Sequence, residues 1–283
     1  MSSQAFAPGH ITGFFVPSDN LSDMERIGST GAGFSVKLGA RAQANVGGSD
    51  WDIYVNGVHT AFSVVEKAIC GLARGGTVDI TTELPFSQGF GMSGACALSS
   101  ALAVCEEMDL PRERAVRAAH LAEVFCRTGL GDVVAQSVGG FETRLKPGLP
   151  PFGEIVSRCE EREVVLGVSG GPLITPDVLG DPSFSEWIRM IGEECMEDHR
   201  PDNGMEKFCE LSKRFALETQ FMRDDIKEIL SHVEGIGMGS MSMIGNSVFL
   251  IGNTDEIHEY LVDRLGKERV YLTSIDNQGA RYL

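Results

Sequence analysis

Apolar and polar residues repeat along this chain with two periods, and the switches between them mark its elements. Phe6 to Val16 reads as a strand interrupted by Pro8-Gly9, and Gly33 to Leu38 as another. Trp51 to Val58 alternates apolar Ile53 and Val55 with polar neighbours and closes on the turn Asn56-Gly57. The spacing becomes helical over Ala61 to Leu72, with apolar positions 61, 65, 68, 69 and 72, and stops at Gly75-Gly76. Thr77 to Leu84 returns to alternation with β-branched residues. A helix rich in Ala and Leu follows at Ser93–Met108. Another runs from Pro111, suited to a first turn, to Thr128, with Gly129 beyond it. Asp132–Val138 predicts a short helix and Phe141–Leu145 a short strand.

The run Lys146-Pro147-Gly148-Leu149-Pro150-Pro151 predicts a linker and divides the chain into domains 1–150 and 151–283. Beyond it, Glu163–Val168 is a buried strand, and two or three amphipathic helices fill Ser183–Leu230. A Gly/Met/Ser segment at 235–245 precedes a strand at Ser247–Ile251, a helix at Thr254–Leu265 and a last strand at Val270–Ser274. Irregular alternation in both halves predicts an α+β protein of two domains, with no internal repeat.

Composition narrows the functions available. The 283 residues carry a net charge of −16, which argues against a nucleic-acid backbone or an anionic membrane as the main partner. No run of about 18 apolar residues is present, and the N-terminal residues lack a signal-peptide pattern. Seven cysteines without a CxxC pair, most within apolar helical patterns, read as reduced thiols of a cytoplasmic protein. Thirty-four glycines, about 12% of the chain against a usual ~7%, gather in a few clusters, and those clusters direct the search for function.

The segment Leu84–Ala95 (LPFSQGFGMSGA) lies between a predicted strand and a predicted helix. Gly89, Gly91 and Gly94 let the backbone turn its N–H groups toward a ligand, and the helix N-terminus adds unpaired donors and its positive dipole end. Ser93 is placed to cap that helix or to put its hydroxyl on Mg²⁺. Taken alone, the segment reads as well as a plain strand–turn–helix joint. It lacks the Lys of a Walker A loop and the later acidic residue of a dinucleotide fingerprint. On the helix that follows, His120, Glu123 and Arg127 fall on one stripe among small residues, either a ligand-facing row or a solvated face with a Glu123–Arg127 pair. Asp132 opens the next helix, where the dipole favours an ionised carboxylate, and Arg144 stands on the strand after Gly139-Gly140.

Together these segments resemble the GHMP kinase superfamily. Pro85–Ala95 is similar to its phosphate loop, with Met92 where a first Ser is usual, so only Ser93 carries the hydroxyl role. TGLGDVVAQSVGG matches its aspartate motif, and GSMSMIGNSVF (Gly239–Phe249) looks like a variant of its third glycine motif. APGHITGFF and GSTGAGFSV are most similar to the archaeal pantoate kinase branch. The resemblance implies an N-terminal domain like ribosomal protein S5 domain 2, a ferredoxin-like C-terminal domain and a homodimer. It also implies ATP and Mg²⁺ as cofactors, and phosphorylation of the primary hydroxyl of (R)-pantoate for coenzyme A synthesis. By residue, it implies ATP phosphates on Gly89, Gly91, Ser93, Gly94 and Ala95, Mg²⁺ on Ser93 and Glu123, and Asp132 as catalytic base. Arg144, His120 and Ser18 would bind the acceptor, and Phe14 and Phe15 would either wall its methyl groups or sit in the core.

Overall fold

A computed structural model describes residues 3–18, 23–173 and 182–283, with side chains from 185 onward in the last stretch. The first sheet is built on two long antiparallel strands, β1 (Ser3–Ser18) and β2 (Gly28–Val46). Pro8-Gly9 does not end β1, because a register shift there absorbs the proline, and a second irregularity lies between Thr12 and Phe14. His10 falls between these two irregularities. One half of β2 pairs with β5 (Gly76–Thr82), and β3 (Trp51–Val55) runs parallel to β5. The predicted strand Trp51–Val58 is a hairpin, with β4 (Val58–His59) folding back at Asn56-Gly57.

The other half of β2 pairs with β6 (Phe141–Lys146), which carries β7 (Glu154–Arg158) on its far edge. The strands do not sort at residue 150. β7 and β12 (Arg281–Tyr282) both lie in this first sheet, and β12 pairs with Ala5 and Phe6. Neither strand was expected from the sequence, and β12 is only two residues long.

Four helices belong to this half: α1 (Ser63–Cys70), α2 (Met92–Glu107), α3 (Arg112–Cys126) and α4 (Asp132–Val138). The Ala, Ser, Gly and Cys side chains of α2 are buried nearly all round, which lets it lie between the sheet and its neighbours α1 and α3. The second sheet is antiparallel, in the order β11 (Val270–Ser274), β8 (Glu163–Val168), β10 (Ser247–Gly252), β9 (Gly237–Met241). Helix α5 (Pro182–Asp198) packs on β1, and α6 (Met205–Glu218), α7 (Asp224–Val233) and α8 (Thr254–Leu265) accompany the second sheet. The architecture is thus mixed, with an N-terminal and a C-terminal α+β part.

A cluster of aromatic rings joins the two parts. Phe208 on α6 lies 6.1 Å from Phe14, 5.9 Å from Phe34, 5.2 Å from Phe141 and 5.6 Å from Phe249, centroid to centroid. Phe15 meets Phe215 at 5.4 Å. Phe14 and Phe15 are therefore core residues facing α6. The seven cysteines are all free thiols, and no described helix is long and apolar enough to cross a membrane.

Candidate active site

The glycine segment between β5 and α2 is a tight loop with three left-handed residues, Ser87 (φ 59°), Gly89 (φ 75°) and Gly91 (φ 60°). Gly91 precedes α2 directly and no side chain caps the helix, so Ser93 stands inside its first turn and the N-terminal N–H groups are open to a ligand. The loop is fixed from several sides. The His10 backbone N–H donates to the Phe90 carbonyl (3.0 Å), and Gln136 Nε2 donates to the Gly91 carbonyl (2.8 Å). Leu173 N–H donates to the Ser87 carbonyl (2.9 Å), and the Ser247 hydroxyl to that of Gln88 (2.5 Å). The Met-rich turn closes in from the C-terminal part: Met243 N–H donates to the Thr12 carbonyl at 2.9 Å.

A cavity of about 450 Å³ opens beside this loop. Val55, Phe62, Phe86, Leu173 and Ile244 make one apolar side, with Phe62 and Phe86 edge to face at 5.5 Å. Ser93, Thr128 and Asp132 make the polar side. Met243 lines the cavity, whereas Met241 is in the core. Arg144, His120 and Ser18 are not among the residues lining it.

Glu123 is buried next to the polar side. Burial pushes its carboxyl up to about 7, the hydroxyl of Thr128 opposes this, the charge of Asp132 adds to it, and the nearby hydroxyl of Ser93 opposes it. Thr128 donates to Oε1 at 2.7 Å, while Oε2 has no close hydrogen-bond partner. A Cβ at Gly129 would sit 2.1 Å from that Oε2 and 3.2 Å from Asp132 Oδ2, so the glycine keeps open a small cradle between two carboxylates. An orphaned buried carboxylate oxygen, a hydroxyl and an adjacent phosphate loop suit Mg²⁺, which takes one or two protein ligands and completes its shell with phosphates and water. Among the described residues no cluster of three or more His, Cys, Asp or Glu could hold a metal by itself.

Asp132 begins α4, and its Oδ1 meets His10 Nδ1 at 2.8 Å. The other ring nitrogen of His10 meets Glu142 Oε1 at 2.9 Å, and Arg144 Nη1 donates to that same oxygen at 2.6 Å. Four titratable groups, acid and base in alternation, therefore run from the cavity wall into the interior. Burial alone would lower the His10 pKa, but its hydrogen bonds to Asp132 and Glu142 and their charges outweigh burial and raise it. Glycines on β2 leave room for this row. A Cβ at Gly33 would lie 2.8 Å from His10 Nε2, and one at Gly31 2.9 Å from Arg144 Nη2. They are two of the three glycines of GSTGAGFSV; the third, Gly28, lies against the main chain of Gly148 instead.

The expected residues are only partly brought together. Ser93, Glu123 and Asp132 surround one end of the cavity, with Gly89, Gly91, Gly94 and Ala95 in the loop and first turn of α2. Arg144 joins Asp132 through Glu142 and His10, and its Nε has no partner although it is buried. The polar stripe of α3 splits. His120 Nε2 faces the Met24 carbonyl (3.3 Å), so the ring packs under the turn at 23–27, and Arg127 is the left-handed residue that ends the helix. Ser18 ends β1 opposite Gly28, and a Cβ at Gly28 would come within 3.1 Å of the Leu130 carbonyl. His10 and Glu142 are the residues that the sequence reading missed.

The profile of the GHMP kinases N terminal domain matches residues 56–140, which span α1, the glycine loop and α2 to α4. The chain belongs to the GHMP kinase superfamily, and it is a phosphotransferase. Along its length it is similar to two archaeal proteins described as pantoate kinases. One, from Methanocaldococcus jannaschii, is 33% identical over 261 residues, covering 90% of this chain and 95% of the relative. The other, from Thermococcus kodakarensis, is 32% identical over 274 residues, covering 90% and 89%. A solved structure titled "Phosphotransferase related to CoA biosynthesis pathway" superposes with a TM-score of 0.87 at 27% identity, covering 100% of this chain and 99% of that one.

Proposed function

We propose that this protein transfers the γ-phosphoryl group of ATP to the primary hydroxyl of (R)-pantoate, a carboxylate-bearing alcohol, as a step toward coenzyme A. The observation that carries this reading is similarity to pantoate kinases across nine-tenths of the chain. The site agrees with it, because a proton-accepting carboxylate and a buried guanidinium stand at the two ends of one hydrogen-bonded row.

The main chain of Gly89, Gly91, Ser93, Gly94 and Ala95 would bind the nucleotide phosphates, and Ser93 and Glu123 would hold Mg²⁺. When bound, Mg-ATP supplies the phosphoryl group and the divalent charge that offsets its oxygens. The chain's own work is positioning and proton handling. Asp132 Oδ1 is tied to His10, and Oδ2 has no hydrogen bond among the described residues. Oδ2 is thus the atom that would orient the acceptor hydroxyl and take its proton as the new oxygen–phosphorus bond forms and the bond from the γ-phosphorus to the departing ADP breaks. Arg144 Nε, buried without a partner, would take the acceptor carboxylate. His120 is turned to Met24, and Ser18 lies at the end of β1, so both would act on the acceptor from farther out than Arg144.

The test is an assay of ADP release with Mg-ATP against pantoate, homoserine, shikimate and mevalonate. Turnover with pantoate alone is expected. Turnover with another acceptor and none with pantoate would overturn the reading.

A further inference from the structure

Glu142 has no part in the mechanism above, yet it is a fully buried carboxylate behind the site, joined to Asp132 through His10. Its Oε1 takes two hydrogen bonds, from His10 Nε2 at 2.9 Å and from Arg144 Nη1 at 2.6 Å. One points toward the proton acceptor and the other toward the anion-binding end. We propose that Glu142 is a positioning residue that aims the Asp132 carboxylate through His10 and fixes the Arg144 guanidinium directly. It thereby sets the spacing between the hydroxyl and the carboxylate of the acceptor. The proposal rests on the reading of Asp132 as proton acceptor.

The geometry carries this. An ionised carboxylate only accepts hydrogen bonds, and His10 has a carboxylate oxygen against each ring nitrogen. With both carboxylates ionised, both contacts are made together only when both nitrogens carry a proton. With a single N–H, one contact would oppose two lone pairs. Glu142 therefore holds His10 as the double donor, whose Nδ1–H occupies Asp132 Oδ1 and leaves Oδ2 toward the cavity. His10 has no freedom to swing out of this line. It is fully buried between two irregularities of β1, and its backbone N–H is bonded to Phe90 of the glycine loop. A side chain at residue 33 would take the space of its Nε2 and of Glu142 Oε1, with a Cβ 2.8 Å from the one and 2.9 Å from the other. A shift of Glu142 would displace both ends of the acceptor site at once, while the glycine loop would keep its bonds to Gln136 and Ser247.

The test uses Glu142→Gln, which keeps shape and removes charge, and two replacements of His10. Asn places its amide near Nδ1 and keeps a donor to Asp132. Gln places its amide near Nε2 and keeps only the link to Glu142. Glu142→Gln is expected to lower kcat by about tenfold or more and to raise the pantoate KM, with the Mg-ATP KM close to wild type. His10→Asn should retain more kcat than His10→Gln. In the His10→Asn background, Glu142→Gln should cost no further kcat but should still raise the pantoate KM through Arg144. A Glu142→Gln kcat near wild type, or an equal kcat loss in both backgrounds, would overturn the proposal.

Should Glu142→Gln fail to fold, ¹⁵N shifts of the His10 ring in the wild-type protein near neutral pH decide the matter. Two protonated nitrogens are expected, and one bare nitrogen refutes the double donor. Asp132→Asn is measured alongside. If that variant turns over normally, the reading of Asp132 itself has failed. If it is inactive while Glu142→Gln turns over at the wild-type rate, only the present proposal has.

Discussion

Asp132 and His10 are 122 residues apart in sequence, and their side chains meet at 2.8 Å. This contact joins the first strand of the fold to the first turn of α4, so the carboxylate is aimed by a different element from the one that carries it. Asp132→Asn keeps the volume and removes the proposed proton acceptor. It is expected to lower kcat by about 10²-fold or more while leaving Mg-ATP binding within a few-fold of wild type. Single-turnover kinetics with a separate nucleotide titration measures both quantities.

Arg144 is buried, paired with Glu142 and free at Nε. Arg144→Ala should raise the pantoate KM by tenfold or more, with a smaller effect on the Mg-ATP KM. It should also destabilise the fold, on the order of 3 kcal/mol, because Glu142 loses one of its two donors in the interior. Steady-state kinetics and denaturant unfolding read the two effects independently.

Glu123 makes stability depend on pH in a direction opposite to that of a salt-bridged acid. Its carboxyl is raised by burial to about 7, so between the ordinary carboxylate range and about pH 7 the folded state holds a proton that the unfolded state has released. Stability of the nucleotide-free protein should therefore fall as pH rises through this window. Glu123→Gln removes the buried charge and should raise stability at pH 8, on the order of 3 kcal/mol, with the gain vanishing near pH 4. Thermal melts of both proteins at the two pH values check the sign. The same variant should lose most activity at saturating Mg²⁺.

The cradle at Gly129 gives a fourth test. A methyl group there would meet Glu123 Oε2 at 2.1 Å, so Gly129→Ala must displace that carboxylate. The expected result is a higher Mg²⁺ concentration for half-maximal rate, with an unchanged pantoate KM under saturating Mg²⁺. An unchanged Mg²⁺ dependence would remove Glu123 from the metal.

What could be read from the sequence was local. The strand–glycine–helix junction at 84–95, the helix start at Asp132 and the strands Glu163–Val168 and Val270–Ser274 each contain their own pattern, and each stands where that pattern puts it. His10 and Glu142 were hidden by the opposite condition. Within its strand His10 is one polar residue in an apolar run, and Glu142 alternates with Phe141 and Thr143 as a surface residue would. Only the pairing of β1 and β6 with β2 brings them together. The polar stripe of α3 was visible, but its partners were not. The turn at 23–27 takes His120 while the glycine loop side takes Glu123, and helical spacing alone carries no record of which neighbour covers which turn. β12 is two residues long and exists as a strand only by lying against β1.

The bonds from Met243 to Thr12 and from Ser247 to Gln88 bear on how such an enzyme can diversify. The glycine loop is assembled on one sheet and latched by a turn from the other, with Gly245 packed so closely on Gln88 that a methyl group would lie 2.1 Å from its carbonyl carbon. The loop is therefore not a portable cassette. Grafting a foreign C-terminal half onto residues 1–150 would leave the loop without its latch, so new acceptor specificity is more readily reached by point changes around Arg144 than by recombination of halves.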